Sequence, residues 1–260
     1  MTGIIGGSGL YQISGVDIRE KVRMKTPFGS PSGSYLIGEV SGRTIVFLPR
    51  HGENHTVPPH KVNYRANIWG FKELGVERIL SVGAVGGISS RTTPGTLVVL
   101  DQIIDMTKAR ESTFYEGKAC VVHIDFTEPY CPELRKILLD ASRRSAAAIK
   151  KSGTYVCTEG PRLETKAEVR FFARIGADVV GMTGMPEASL AREAEICYAG
   201  IAVVTNSAAG LQKRKLTVTE VIETMNKTTG SLQALLKEAL MKIPLRRGCS
   251  CKDALKKAKI

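Results

Sequence analysis

Short apolar runs, each ending in a small or polar cluster, alternate along this chain with segments of helical spacing. That alternation constrains the fold more than any other feature. Residues 2–5 read as a buried strand ahead of the tight loop Gly6-Gly7-Ser8-Gly9. Residues 44–48 form a strand that runs into Pro49-Arg50-His51-Gly52, and residues 78–82 one that ends in Gly83-Ala84-Val85-Gly86-Gly87. Residues 96–100 and 102–104 add strand material. Between the second and third strands, Pro58 and Pro59 open a helix predicted over residues 60–74. Its apolar members Val62, Ala66, Trp69 and Phe71 follow helical spacing, and Gly75 stops it.

The second half repeats the pattern. Helices are predicted over residues 132–151, 166–175 and 186–195, with strands over 153–157, 178–182 and 196–205. A long closing helix covers 217–242, with Thr217 or Thr219 as its cap. Alternating strands and helices imply an α/β fold: one mixed central sheet flanked by helices. No internal repeat, low-complexity stretch or linker divides the chain, so a single domain is expected over residues 1–243, with a basic C-terminal tail over 244–260.

The 260 residues suffice for one large core, and 43% apolar with 24% charged residues excludes collagen-like, coiled-coil and disordered chains. No stretch offers the roughly 20 apolar residues of a membrane span. The chain enters Thr2-Gly3-Ile4-Ile5-Gly6 without a basic region and apolar leader, so a soluble cytoplasmic protein is expected. The net charge of +12 raises nucleic acid as a partner. From Lys242 onward, however, seven Lys/Arg face one acid, Asp253, which places half of the excess at one end. A solvated basic tail explains that charge as well as a binding stripe does, and no nucleic-acid partner is expected.

Six cysteines are too few for a disulfide-dense scaffold, and Cys120, Cys131, Cys157 and Cys197 lack zinc-ligand spacing. Cys249-Ser250-Cys251 is open to three readings: a redox pair, half of a metal site, or coincidence. Metal is the weakest of these, because no second Cys/His pair lies nearby in the sequence.

Five polar or glycine clusters follow strands: Gly6 to Gly9, Arg50-His51, Gly83-Ala84, Met182-Thr183 and Asn206-Ser207. In open α/β sheets, ligands bind beyond the carboxyl ends of strands, so convergence of these ends would make a site. Gly6-Gly7-Ser8-Gly9 permits close backbone approach and adds a hydroxyl suited to phosphate oxygen. It lacks the third glycine of a dinucleotide fingerprint, which argues against a dehydrogenase, and it is no Walker A loop. Arg50-His51 adds a fixed cation and a second donor, and Thr183 another hydroxyl. Glu164 precedes a helix, where it is either an N-terminal acid favoured by the dipole or an acceptor for ligand N–H groups. Paired with the amide of Asn206, it can read a 6-oxopurine edge, accepting from N1–H while Asn206 faces O6 and N7. An adenine carries no N1 proton and would leave Glu164 poorly paired.

Ile4-Ile5-Gly6-Gly7-Ser8-Gly9-Leu10, Thr26-Pro27-Phe28-Gly29, Arg50-His51-Gly52, Lys61-Val62-Asn63-Tyr64-Arg65-Ala66-Asn67-Ile68-Trp69, Glu159-Gly160-Pro161-Arg162 and Gly181-Met182-Thr183-Gly184-Met185-Pro186-Glu187 closely resemble the methylthioadenosine phosphorylase branch of the purine nucleoside phosphorylase family. The ordered match runs from about residue 3 to 205. The resemblance implies a single α/β domain, homotrimers or dimers of trimers, inorganic phosphate as co-substrate, and no metal or other cofactor. It implies a phosphate site of Ser8, Arg50, His51 and Thr183, with the Gly83-Ala84 backbone lining the centre. Met182 is the implied ribose contact, and His55 and Val218 lie near the sugar's 5′ end. Leu163 and Ala208 join Glu164 and Asn206 as substrate-binding residues. His123 is implied to reach a neighbouring subunit's site.

The departure from the branch is Thr205-Asn206-Ser207-Ala208, where adenine-specific members carry a T-D-Y-D-like segment. With Glu164 it is similar to the base site of the inosine and guanosine phosphorylases. The implied reaction is reversible phosphorolysis of 6-oxopurine nucleosides, with Asn206 and Glu164 as catalytic residues. Apolar Val218 keeps methylthioinosine or methylthioadenosine open as the alternative substrate. Resemblance to heat-adapted relatives further implies disulfides Cys131–Cys197 and Cys249–Cys251.

Overall fold

The computed structural model describes residues 1–7, 16–117, 120–144, 148–212 and 217–260. Its strands are β1 (Thr2–Gly6), β2 (Asp17–Val22), β3 (Tyr35–Val40), β4 (Arg43–Pro49), β5 (Arg78–Gly87) and β6 (Leu97–Val99). They continue as β7 (Gln102–Met106), β8 (Ile149–Lys150), β9 (Thr154–Thr158), β10 (Val179–Gly181) and β11 (Cys197–Ser207). The α-helices are α1 (Tyr64–Glu73), α2 (Pro132–Ser142), α3 (Lys166–Arg174), α4 (Gly184–Glu193) and α5 (Val218–Lys242).

The strands join in one mixed sheet. Its main path runs β2-β3-β4-β1-β5-β10-β9-β7, while β11 pairs with both β5 and β6, and β6 with β8. β1 and β5 are apolar for most of their length because helices cover both faces of the sheet. Leu134 and Leu138 of α2 and Leu232, Leu235, Leu236 and Ala239 of α5 pack on one face. Ile68 and Phe71 of α1 and Ala188, Leu190 and Ala191 of α4 pack on the other. Each wholly buried Leu, Ile or Phe contributes roughly 1.5–3 kcal/mol. No helix among the described residues is long and apolar enough to cross a membrane.

β5 is the strand that makes the site possible. It pairs with β1 only as far as Ser81, and with β10 only at Gly86 and Gly87. Along its other edge β11 pairs throughout. Among the described residues, 82–85 therefore have a β neighbour on one side only, and the sheet opens there into a crevice. The strand expected to end at residue 82 thus continues to Gly87, held extended by β11.

Several boundaries differ from the sequence reading. The helix predicted from residue 60 begins at Tyr64, because the Asn63 side chain accepts the Ala66 N–H and caps it; the two prolines open only a 3₁₀ turn. α2 stops at Ser142 rather than residue 151, and Ile149–Lys150 instead joins the sheet. β2 and β3 are unanticipated, β2 being an exposed, charged edge strand with no apolar alternation to reveal it. Thr217 caps α5 by accepting the Glu220 N–H, as anticipated.

The C-terminal segment returns to the body. Its lysines are exposed, but Cys251 is buried against the α2–α5 core. Farther on, the His123 N–H donates to the Ala258 carbonyl at 2.7 Å, and Val121 and Ile260 exchange backbone bonds. Neither implied disulfide is formed: all six cysteines are free thiols. Cys131, Cys197, Cys249 and Cys251 instead gather in one cluster, where the Cys197 and Cys249 sulfurs approach to 3.3 Å. A disulfide requires about 2.05 Å. The second pair that a metal site needs was thus present, but remote in sequence.

Candidate active site

A cleft of about 200 Å³ lies at the opening beside residues 82–85. All five anticipated strand ends reach it, through Gly7, Arg50 with His51, Gly83 with Ala84, Met182 with Thr183, and Asn206. Leu163, Glu164 and His55 complete the anticipated residues found there. Ser8 lies outside the described residues. Val218 opens α5, but its side chain also lies outside them. Ala208 is buried behind the cleft, in the small cluster with Val156, Val169 and Phe172. His123 lies away from this cleft, on the segment that pairs with the chain's end.

Arg50 is 1% exposed and follows directly on β4. Its Nε donates to Glu187 Oε1 at 2.8 Å, and its Nη2 to Glu187 Oε2 at 2.9 Å and to Ser81 Oγ at 2.6 Å. Its Nη1 donates to the Val82 carbonyl at 2.9 Å. One Nη1 hydrogen has no partner among the described residues. A Cβ on Gly7 would stand 2.8 Å from that nitrogen, so glycine is what lets the chain pass so close. Burial opposes the charge on both partners, yet their mutual attraction prevails: Arg50 is held protonated, and Glu187 is held below the usual carboxylate range. Tyr198 and Ser81 hydroxyls donate to Glu187 Oε2 at 2.8 and 2.7 Å, satisfying the carboxylate further.

His51 differs from its expected role. Its Nδ1–H donates to the Val57 carbonyl at 2.8 Å. Burial, reinforced by the Arg50 charge, lowers its pKa to about 4. At neutral pH the ring is therefore uncharged, and Nε2 is an acceptor rather than a second donor. Thr183, at the start of α4, sets its hydroxyl 3.6 Å from where a Cβ on Gly83 would be.

At the other end of the cleft stand Glu164 and Asn206. Thr158 Oγ1 donates to Glu164 Oε1 at 2.9 Å and leaves Oε2 for a ligand. Asn206 Oδ1 accepts from Thr205 Oγ1 at 2.8 Å, and its Nδ2 donates to the Ser207 carbonyl at 2.8 Å. One amide hydrogen is left. Thr205 and Asn206 are consecutive, yet both line the cleft, which a regular strand forbids. The register between β11 and β5 slips between Val204 and Asn206, and that bulge turns both side chains toward the opening.

Sequence reasoning missed Glu187, Ser81, Thr205 and Val221 as residues of the site. Glu187 carried one signal: it is an acid beside the apolar run of α4, where a buried carboxylate needs a buried cation. Val221 lies in the first turns of α5, three residues after Val218, and lines the cleft. No three metal-ligating groups gather in the cleft among the described residues; such a set occurs only in the cysteine cluster.

A family model described as the phosphorylase superfamily matches residues 2–241. The chain is 54% identical to a Thermococcus kodakarensis protein named probable 6-oxopurine nucleoside phosphorylase, covering 98% of this chain and 97% of the relative. It is 53% identical to a probable S-methyl-5′-thioinosine phosphorylase of Thermodesulfovibrio yellowstonii, covering 98% and 96%. Among solved structures, methylthioadenosine phosphorylase from Schistosoma mansoni in complex with adenine superposes with a TM-score of 0.93 at 34% identity, covering 99% of this chain and 98% of that one.

Proposed function

The chain belongs to the phosphorylase superfamily, and on that premise we propose that it is a purine nucleoside phosphorylase acting on 6-oxopurine nucleosides. This pentosyltransferase reversibly converts inosine or guanosine and inorganic phosphate into free base and ribose 1-phosphate. One observation carries the base assignment: Glu164 and Asn206 face the same cleft, each oriented by a threonine hydroxyl. Glu164 Oε2 accepts the N1–H that adenine lacks, while the free Asn206 amide hydrogen reaches N7 or O6.

Phosphate occupies the other end. The remaining Arg50 Nη1 hydrogen, the Thr183 hydroxyl, Ser8 and the backbone at Gly83-Ala84 donate to its oxygens. Neutral His51 accepts through Nε2 from the single P–OH of monohydrogen phosphate. So held beneath the anomeric carbon, phosphate needs little reorientation to attack. The N9 bond stretches first, and the sugar gains positive charge near the phosphate. Negative charge on the purine collects at N7 and O6, where the Asn206 contact strengthens as the transition state forms. The phosphate is a co-substrate, and the reaction calls on no cofactor. Met182 contacts the ribose, His55 and Val221 face its 5′ end, and His123 completes the site of a neighbouring subunit in a trimer or dimer of trimers.

A methylthio group at the 5′ position is the second reading, favoured by the apolar side chains of Val221 and Leu163 on the cleft. A panel of inosine, guanosine, adenosine, methylthioadenosine and methylthioinosine, each with and without phosphate, tests both. Phosphate-dependent cleavage of the 6-oxo compounds is expected. Ready cleavage of adenine nucleosides with the keto compounds untouched, or turnover indifferent to phosphate, overturns the assignment.

A further inference from the structure

Four cysteines from three distant parts of the chain meet at one point on the side of the molecule away from the chemistry described above. Cys131 immediately precedes α2, Cys197 begins β11, and Cys249 and Cys251 stand at the 3₁₀ turn of the C-terminal segment. Their sulfur atoms all lie within 4.8 Å of one another. Cys131, Cys197 and Cys251 are buried, and Cys249 is partly so.

We propose that these four thiols form a closed structural site for one Zn²⁺ ion, which fastens the C-terminal segment to the domain. A tetrahedral zinc thiolate with Zn–S near 2.3 Å has sulfur–sulfur edges of about 3.8 Å. The 3.3 Å between Cys197 and Cys249 and the 4.8 Å limit on the whole set bracket that edge. Small side-chain shifts therefore complete the tetrahedron. The 3.3 Å contact runs from the domain to the C-terminal segment, across the implied Cys131–Cys197 and Cys249–Cys251 pairs. Soft thiolates arranged in this way suit zinc, and four of them leave no open position for catalysis. On binding, the four thiols release four protons and the assembled centre carries a charge of about −2, with no change of oxidation state.

The site has a structural consequence. Beyond Cys251, the segment pairs with residues 121–123 through the His123–Ala258 and Val121–Ile260 backbone bonds. An ion at the cluster fixes where that segment begins, and with it the backbone that carries His123.

The full chain, prepared under reducing conditions, is expected to hold about one zinc per chain. After zinc removal, Co²⁺ alone should restore saturation and produce the intense sulfur-to-cobalt charge-transfer band and visible bands of a tetrahedral thiolate site. A Cys249→Ser/Cys251→Ser double variant should lose both readouts, whereas Cys120→Ser should keep them. Trypsin should trim the segment near Lys252, Lys256 and Lys257 faster once the metal is removed. Failure of the reduced wild-type chain to bind Zn²⁺ or Co²⁺ overturns the proposal. So does a mass for the zinc-grown protein that is lower by four hydrogens, since two disulfides would then occupy the thiols. Neither readout depends on nucleoside turnover, so the zinc site and the proposed activity stand or fall separately.

Discussion

Arg50 and Glu187, 137 positions apart in sequence, meet in the interior as a two-pronged ion pair at 2.8 and 2.9 Å. The pairing fixes the guanidinium so that, among the described residues, one Nη1 hydrogen is left for a ligand. A bidentate fork also defines orientation, which a lysine could not do.

Glu187→Gln should therefore harm both stability and phosphate binding. Removing one member of a buried pair typically destabilises by about 3–5 kcal/mol. Denaturant unfolding should show a loss of that order, with KM for phosphate rising more than KM for the nucleoside. An unchanged unfolding midpoint would refute the role given to this pair. Because Glu187 is held below the usual carboxylate range, its contribution is complete above the unfolded-state pKa. It is lost as pH falls through the lower folded value.

His51 should titrate near pH 4 instead of near 6.5. The folded state then binds fewer protons than the unfolded state between those values. Stability should fall as pH drops from about 6.5 toward 4 and level off below that, as far as this group is concerned. Imidazole resonances followed by NMR across this range check the assignment. A His51 transition near pH 6 would contradict the acceptor role of Nε2.

Asn206→Ala should lower kcat for inosine by roughly 10²-fold or more, the usual consequence of removing one preorganised donor. KM for phosphate should hardly change, because the amide stands at the opposite end of the cleft. Asn206→Asp should also lower inosine turnover, while improving adenosine relative to inosine. Steady-state kinetics on both nucleosides decide this, and wild-type rates in the alanine variant would remove Asn206 from the mechanism.

Thr158→Val keeps the side-chain shape but deletes the hydroxyl that holds Glu164 Oε1 at 2.9 Å. A single hydrogen bond of this kind is worth about 1 kcal/mol, so kcat/KM for inosine should fall by roughly fivefold. Glu164→Gln should fall further, since an amide cannot match a carboxylate as acceptor for N1–H. Equal losses for inosine and adenosine in the two variants would show that the pair does not read the base.

Much of the fold was legible because its signals are local. Apolar runs, prolines, glycines and the Thr217 cap located most strands and helices, and they put Arg50, His51, Glu164, Thr183 and Asn206 near strand ends or turns. β2 escaped because an exposed edge strand has no buried face to impose a pattern. The extension of β5 through Gly87 escaped because its glycines mimic a loop, and only pairing with β11 keeps them extended. His51 was read as a donor because nothing in its own segment announces that Val57 takes the Nδ1 proton and that burial keeps the ring neutral.

The sequence by itself determined the α/β class, the order of its elements and the side chains available at the strand ends. These follow from side-chain periodicity and turn chemistry, which act over a few residues. Only the tertiary structure decided that β11 bulges so that Thr205 and Asn206 face one cleft, that Glu187 claims most of Arg50, and that Cys131 and Cys197 meet the C-x-C segment. Those outcomes depend on strand register and on contacts between remote segments. Packing the whole core sets them, and no local pattern records them.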